Sequence, residues 1–280
     1  MDWTSIVYSV LCVTVAAVLI SSSVSDVRSR EISDKHWVVI GAVGIVANLL
    51  CSAGSGMTYA VLGSVGEALF LIMLLGDHGK LDAVMFVASL LLAATSLMLG
   101  GGCEGVIRCA APVLFSTFFL VMYWLGIIRG GADTKCLIVC AMAVPVYPEW
   151  VAMTDVLDIL NMVFAPSVAM MFIASIMSVA CCSVYCSARS LSCGSIRFNG
   201  YRLPVTDVGS HFVWPMEDIE DGKVVRCAIP EDKSIGEICT RFERAGVKDI
   251  LVTPMVPFLV PLTVAFVMIM VLGSPFTLLC

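Results

Sequence analysis

Long apolar runs separated by short polar stretches make up most of the chain, and their lengths predict membrane-spanning helices. A helix that crosses a bilayer needs about 20 predominantly apolar residues. Eight runs approach that length, at 3–24, 37–53, 57–75, 83–99, 108–128, 133–149, 160–186 and 254–273. The pattern therefore predicts an all-α polytopic membrane protein with about eight transmembrane helices, of which the second and sixth are the shortest.

One polar segment, 187–253, is long enough to fold by itself. Three stretches with β-type content are followed by "SIGEICTRFERAG", which begins with Ser, ends in Gly and has apolar residues at helical spacing, and then by "DILVTP". We expect a transmembrane bundle of seven spans over 1–186, a small cytoplasmic α+β domain over 187–253, and the last transmembrane helix within 254–280.

Composition supports the membrane interpretation and excludes other classes. The chain is 59% hydrophobic and 14% charged, whereas soluble domains are about 25% charged. The net charge of −6 is modest, and no block rich in Lys or Arg indicates nucleic acid as a partner. The 13 cysteines are scattered without a CxxC pair, so we expect neither a metal site nor a cofactor.

The distribution of basic residues predicts the orientation of the chain. With eight spans, 15 of the 16 Lys and Arg residues fall in loops on one side of the membrane. Positive charge marks the cytoplasmic side. The sequence thus predicts a multi-pass cell-membrane protein with both termini outside.

Few carboxylates lie at or near membrane depth, and each is a functional candidate because an ionisable group is costly there. They are Asp26, Glu67, Asp77 and Asp133. Simpler interpretations remain open: Asp26 could be an interfacial charge beside basic residues, Asp133 could meet a helix dipole, and Glu67 could be a structural group facing the bundle.

Asp26 and Asp133 stand out as a pair. Both are predicted at similar depth on the cytoplasmic side, and Asp133 follows Gly130 and Gly131, which permit close backbone approach and positive φ angles. Two neighbouring carboxyl groups do not ionise together readily, so they share a proton. This is the chemistry of an aspartic protease.

Three motifs in this chain resemble those of archaeal preflagellin peptidases and type IV prepilin peptidases. They are "SDVRSREISDKHW", the GxGD-like "GGADTK", and "VTPMVPFLVPLTVAFVM" at the last span. The resemblance implies that Asp26 and Asp133 are catalytic, supported by Gly130, Gly131 and Lys135, in an enzyme that removes short basic leaders from preflagellin or pilin-like precursors. Ala132 stands where the family has Gly. Because the 25–36 loop lacks cysteine, we expect neither bound zinc nor methyltransferase activity.

Three further acidic residues are possible contacts for the basic leader peptide of a substrate: Glu31, Asp34 and Asp77. Asp77 also rivals Asp133, because it follows a glycine and precedes Lys80, but it ends a predicted helix where a carboxylate is disfavoured. Lys135 is expected to pair with an aspartate or a lipid phosphate. An alternative function is a proton- or cation-coupled transporter that uses paired carboxylates. The particular precursor and the oligomeric state stay open.

Overall fold

The computed structural model describes most of the chain, in two compact units. The described residues are 3–54, 56–100, 104–128, 130–148, 165–191, 197–220, 222–226 and 234–273, with the backbone only at 104–107. The first unit comprises Met1–Ala174 and Pro257–Cys280, and the second Ser175–Val256. The predicted turn at 150–159 lies outside the described residues.

The first unit is helical, and each predicted span contains a helix. Among the described residues, the helices are α1 Trp3–Ser29, α2 Lys35–Ala53, α3 Met57–Leu75, α4 Lys80–Gly100, α5 Glu104–Trp124, α6 Gly131–Ala143, α7 Pro166–Leu191, α8 Ile235–Arg244 and α9 Leu259–Leu272. Helix α8 belongs to the second unit, and α7 begins in the first unit and ends in the second. Within the described residues, five helices (α1, α2, α3, α4 and α7) are long and apolar enough to cross a membrane. These helices confirm the prediction of several membrane-spanning helices, but they do not confirm the count of eight spans.

Helix α6 is shorter than the predicted span 133–149. It has 13 residues, about 20 Å at 1.5 Å per residue, against a hydrocarbon core of about 30 Å. Val144 leaves the helical conformation with φ −127° and ψ 76°, because the following Pro145 disfavours helix at the residue before it. The helix is fully buried from Cys136 to Ala143, so its end lies in the protein interior.

Small and polar side chains hold α6 against α2. A Cβ at Gly44 would lie 2.5 Å from the Cα of Ala143, so only glycine permits this approach. One turn further along α2, the Asn48 amide donates to the Met142 carbonyl at 2.7 Å and accepts from the Tyr8 hydroxyl at 3.0 Å. These bonds satisfy a carbonyl that the end of α6 leaves without a helical partner.

The second unit confirms a small strand-containing domain. Strands β1 Tyr201–Pro204, β2 Val213–Pro215 and β5 Asp249–Pro254 form an antiparallel sheet in the order β1-β5-β2, and β3 Glu217–Glu220 pairs with β4 Lys223–Arg226. A 3-10 helix spans Val205–Ser210. The amphipathic α8 buries Ile238 and Phe242 in a common core with strand residues. Its N-cap Ser234 accepts a hydrogen bond from the Glu237 N–H, as the sequence pattern indicated.

Candidate active site

Asp26 lies in the last turn of α1 and is buried. The Arg30 guanidinium lies one turn further on, with Nη1 3.9 Å from Asp26 Oδ1. The N–H of Arg30 donates to the Asp26 carbonyl at 3.2 Å, and Arg30 has a φ of 58°. This left-handed residue ends α1 directly after the turn that carries Asp26. A non-glycine residue is strained in this conformation, so the surrounding structure must hold it there.

The last helix of the chain supplies a further partner for Asp26. The backbone N–H of Leu259, the first residue of α9, donates to the Asp26 carboxylate. The first N–H groups of a helix have no partner inside the helix, so a buried carboxylate satisfies one of them and benefits from the helix dipole. This contact was not anticipated from the sequence, although the proline-rich entry into the last span marked where α9 would begin.

Hydroxyl groups connect α1 to α9 close to Asp26. Ser23 donates to the Leu259 carbonyl at 3.0 Å, and its hydroxyl lies 2.7 Å from that of Thr263. Thr263 in turn donates to the Leu19 carbonyl at 3.3 Å. These three side-chain contacts lie one to two turns from Asp26, so they set its position along α9.

Asp133 lies in the first turn of α6 and is half-buried. Its side chain folds back over Gly130, the N-cap residue, so a Cβ at Gly130 would collide with the carboxylate. A Cβ at Gly131 would meet only the Tyr123 hydroxyl, at 3.9 Å. Gly130 has φ −80° and ψ 114°, so it does not use the positive φ that the sequence allowed. Its role in this structure is to leave space for Asp133.

The fold brings the two aspartates, 107 positions apart in the sequence, near enough for the charge of Asp26 to act on the Asp133 carboxyl group. One carboxyl group comes from the end of α1 and the other from the start of α6. The ionisation of one aspartate therefore affects that of the other.

Lys135 connects α6, which carries Asp133, to the start of α2. Its ammonium lies 2.7 Å from Oδ1 of Asp34, the N-cap residue of α2. The side chains are 29% and 51% exposed, and pairs at such exposure stabilise a protein by about 0.2–1 kcal/mol. Of the two partners expected for Lys135, the structure therefore shows an aspartate.

The remaining predicted residues lie around this pair. Glu31 is exposed beyond the end of α1. Asp77 is exposed in the loop between α3 and α4, where its carboxylate accepts the Gly79 N–H at 3.4 Å. Ala132 has helical backbone and packs partly buried against the main core. Glu67 is fully buried in α3, and among the described residues neither of its carboxylate oxygens has a hydrogen-bond partner.

Metal ligands are not grouped in the described part of the chain. Its His, Cys, Asp and Glu side chains include no set of three that could hold an ion together.

Comparison with known proteins finds a similarity in the C-terminal part of the chain. No curated protein sequence matches the chain significantly. Residues 195–274, which include the small domain after α7 and the helix α9, match the family model described as archaeal peptidase A24 C-terminus, type II. That family consists of proteases, and its membership implies precursor proteins as substrates. The match, which covers less than a third of the chain, supports the resemblance to archaeal preflagellin and prepilin peptidases recognised from the motifs.

Proposed function

We propose that the chain is a membrane aspartic endopeptidase that removes short basic leader peptides from preflagellin or pilin-like precursors. Asp26 and Asp133 are its catalytic residues. The observation that supports the proposal is that the ends of α1 and α6 bring these two carboxyl groups, from distant parts of the chain, near enough for the charge of Asp26 to act on Asp133. The active site is at the cytoplasmic face of the cell membrane, and both termini are outside.

The reaction needs one ionised and one protonated carboxyl group. Asp26 takes the ionised role, because Arg30 and the Leu259 N–H both stabilise negative charge on it. Repulsion from that charge favours the protonated form of Asp133. A water molecule attacks the scissile carbonyl carbon and gives a proton to Asp26, while Asp133 donates its proton to the carbonyl oxygen. The tetrahedral intermediate then collapses: the C–N bond breaks, the leaving nitrogen takes the proton from Asp26, and a hydroxyl of the intermediate returns a proton to Asp133 as the new carboxylic acid forms.

Ala132 is compatible with this mechanism. The residue lies in a helical turn, where alanine is favoured over glycine. Its side chain faces the core cluster. The departure from the family glycine therefore leaves the Asp133 carboxyl group free to react.

Acidic residues near the site are candidates for contact with a basic leader. Glu31 and Asp77 are exposed and lie between the two aspartates in the sequence, whereas the Asp34 carboxylate is engaged by Lys135. We therefore expect Glu31→Gln and Asp77→Asn to raise KM for a basic leader. Asp34→Asn additionally releases Lys135.

The experiment that tests the assignment is coexpression with a preflagellin or pilin-like precursor, scored by the gel shift that accompanies leader removal. Asp26→Asn and Asp133→Asn each abolish the shift, because either change removes one member of the acid–base pair. Asp77→Asn is the matched control, since it changes a carboxylate on the adjoining loop and still permits cleavage at saturating precursor. Full cleavage by Asp133→Asn refutes the proposal, and aspartate-dependent ion flux without cleavage supports a transporter instead.

A further inference from the structure

A pocket of about 280 Å³ opens beside the first turn of α6. Its walls come from four helices: Met73 and Leu74 of α3, Asp82 of α4, Leu120, Tyr123 and Trp124 of α5, and Gly131, Thr134 and Lys135 of α6. Successive residues of an α-helix are rotated by about 100°. On α6, the three lining positions therefore point roughly 150° away from Asp133. The pocket lies behind the catalytic turn, on the opposite side of the helix from the aspartate pair.

Most of the polar side chains at the pocket are engaged elsewhere. The Thr134 hydroxyl donates to the Gly130 carbonyl at 2.9 Å. Lys135 is paired with Asp34, and Asp82 lies 3.1 Å from His78 Nδ1. What the pocket offers to a ligand is therefore mainly aliphatic and aromatic surface, with the Tyr123 hydroxyl and the Trp124 indole N–H as its further polar groups.

The dimensions suit a single large side chain. A protein cavity of about 150 Å³ can hold a benzene molecule, so this larger pocket accommodates a Leu or Phe side chain. Glycine at position 131 keeps one wall open, because the nearest atom to a Cβ there is the Tyr123 hydroxyl at 3.9 Å. Charged side chains fit poorly, since the carboxylate and ammonium at the rim are neutralised by their own partners.

We propose that this pocket is a substrate subsite that receives an apolar side chain about three residues from the scissile bond. The distance of about three residues follows from the path that the substrate takes between Asp133 and the pocket. A helix with its side chains is about 10–12 Å across, and an extended peptide advances about 3.3 Å per residue. A peptide that reacts at Asp133 and crosses the start of α6 therefore reaches the pocket after about three residues. The inference rests on the proposed peptidase function and adds a specificity determinant to it.

The test is a series of precursors cleaved in membranes by the full-length chain. Each position within four residues of the scissile bond carries Ala, Leu, Phe or Lys in turn, and kcat/KM is measured for each. At one position, about three residues from the bond, Leu and Phe exceed Ala and Lys by about tenfold or more, since pockets discriminate by at least that factor for each missing methylene group.

Two tryptophan variants connect the preference to the pocket. Met73→Trp fills it and reduces the Leu-to-Ala ratio at that position alone. Ile72→Trp is the control, because Ile72 is the preceding residue of α3 and is exposed; it leaves the ratio unchanged. Leu120→Ala enlarges the pocket, so a precursor with Trp at that position should be cleaved better than by the wild type. This second variant tests the subsite if Met73→Trp does not accumulate in the membrane.

The outcomes separate the two proposals. A preference for Lys at this position, or a Leu-to-Ala ratio that neither pocket variant alters, overturns the subsite while aspartate-dependent cleavage still supports the peptidase. Failure of the wild-type chain to cleave any precursor of the series counts against the peptidase itself.

Discussion

Gly130 provides the sharpest test of how the site is built, because its missing side chain makes room for Asp133. A Cβ at this position would occupy the space of the Asp133 carboxylate. The conflict involves the end of a side chain and no backbone atom. Gly130→Ala is therefore expected to leave α6 in place and to displace the carboxyl group alone.

The expected loss of activity follows from this displacement. Non-bonded carbon and oxygen atoms need about 3.5 Å between them, so the carboxylate must move by more than about 1 Å. A misplacement of that size can cost about 100-fold in rate, which corresponds to about 2.7 kcal/mol of transition-state stabilisation. We expect a decrease of that order in kcat, with KM nearly unchanged because substrate-binding groups stay where they are.

Stability should change little in comparison. Gly130 has an extended backbone with negative φ, a conformation that alanine adopts freely, and replacing glycine restricts the unfolded chain by about 0.4–1 kcal/mol. Against this gain, alanine is a poorer N-cap residue than glycine, and its Cβ has to displace the Asp133 side chain. Gly130→Ala should thus still accumulate in membranes and unfold near the wild-type temperature while cleaving slowly.

Gly131→Ala is the matched comparison. Its Cβ meets only the Tyr123 hydroxyl, at an ordinary contact distance of 3.9 Å. The Asp133 carboxyl group stays in place, so the rate of the chemical step at saturating precursor falls far less than in Gly130→Ala, although the added methyl group narrows the proposed pocket. Single-turnover cleavage of one precursor in membranes, together with a thermal melt of each variant, checks both expectations. If Gly130→Ala cleaves as fast as Gly131→Ala, the position of the Asp133 carboxyl group described here is wrong.

Two further predictions concern the charges around the pair. Asp34→Ala and Lys135→Ala in a double-mutant cycle on the cleavage rate should give a coupling of up to about 1 kcal/mol, or roughly fivefold, as for a partly exposed ion pair; additive effects would show that the contact is unimportant for the site. The dependence of kcat/KM on pH should be bell-shaped, because one carboxyl must be ionised and the other protonated. Arg30→Gln should shift its acidic limb to higher pH, since ionised Asp26 loses a stabilising charge; an unmoved limb would exclude Arg30 from this role.

The sequence predicted the order of the helices well because the bilayer imposes a length on each apolar run. The small domain was also accessible, since Ser234 and the spacing of Ile238 and Phe242 mark an amphipathic helix. The pairing of Asp26 with Asp133 followed from their predicted depth and from the motifs. Strand β3 escaped prediction, because the acidic stretch Glu217–Glu220 lacks strand-favouring composition.

The contacts that fix the site depend on tertiary structure and could not be predicted in the same way. The Leu259 N–H is a backbone group, so no side chain in the sequence announces that it binds Asp26. The end of α6 at Ala143 was likewise hard to predict from the sequence. An apolar run continues to Tyr147, and hydropathy does not distinguish buried irregular backbone from helix. Pro145 was the available signal for the earlier end.

The contact between Asp26 and the start of α9 has a consequence for biosynthesis. Asp26 belongs to α1, whereas its backbone partner belongs to α9, which is synthesised after the small domain. Until α9 has been made, Ser23 and Asp26 lack their partners at Leu259 and Thr263. The nascent chain therefore carries both aspartates long before it carries the contacts that surround them, so the proposed site is assembled only after α9 has joined the bundle.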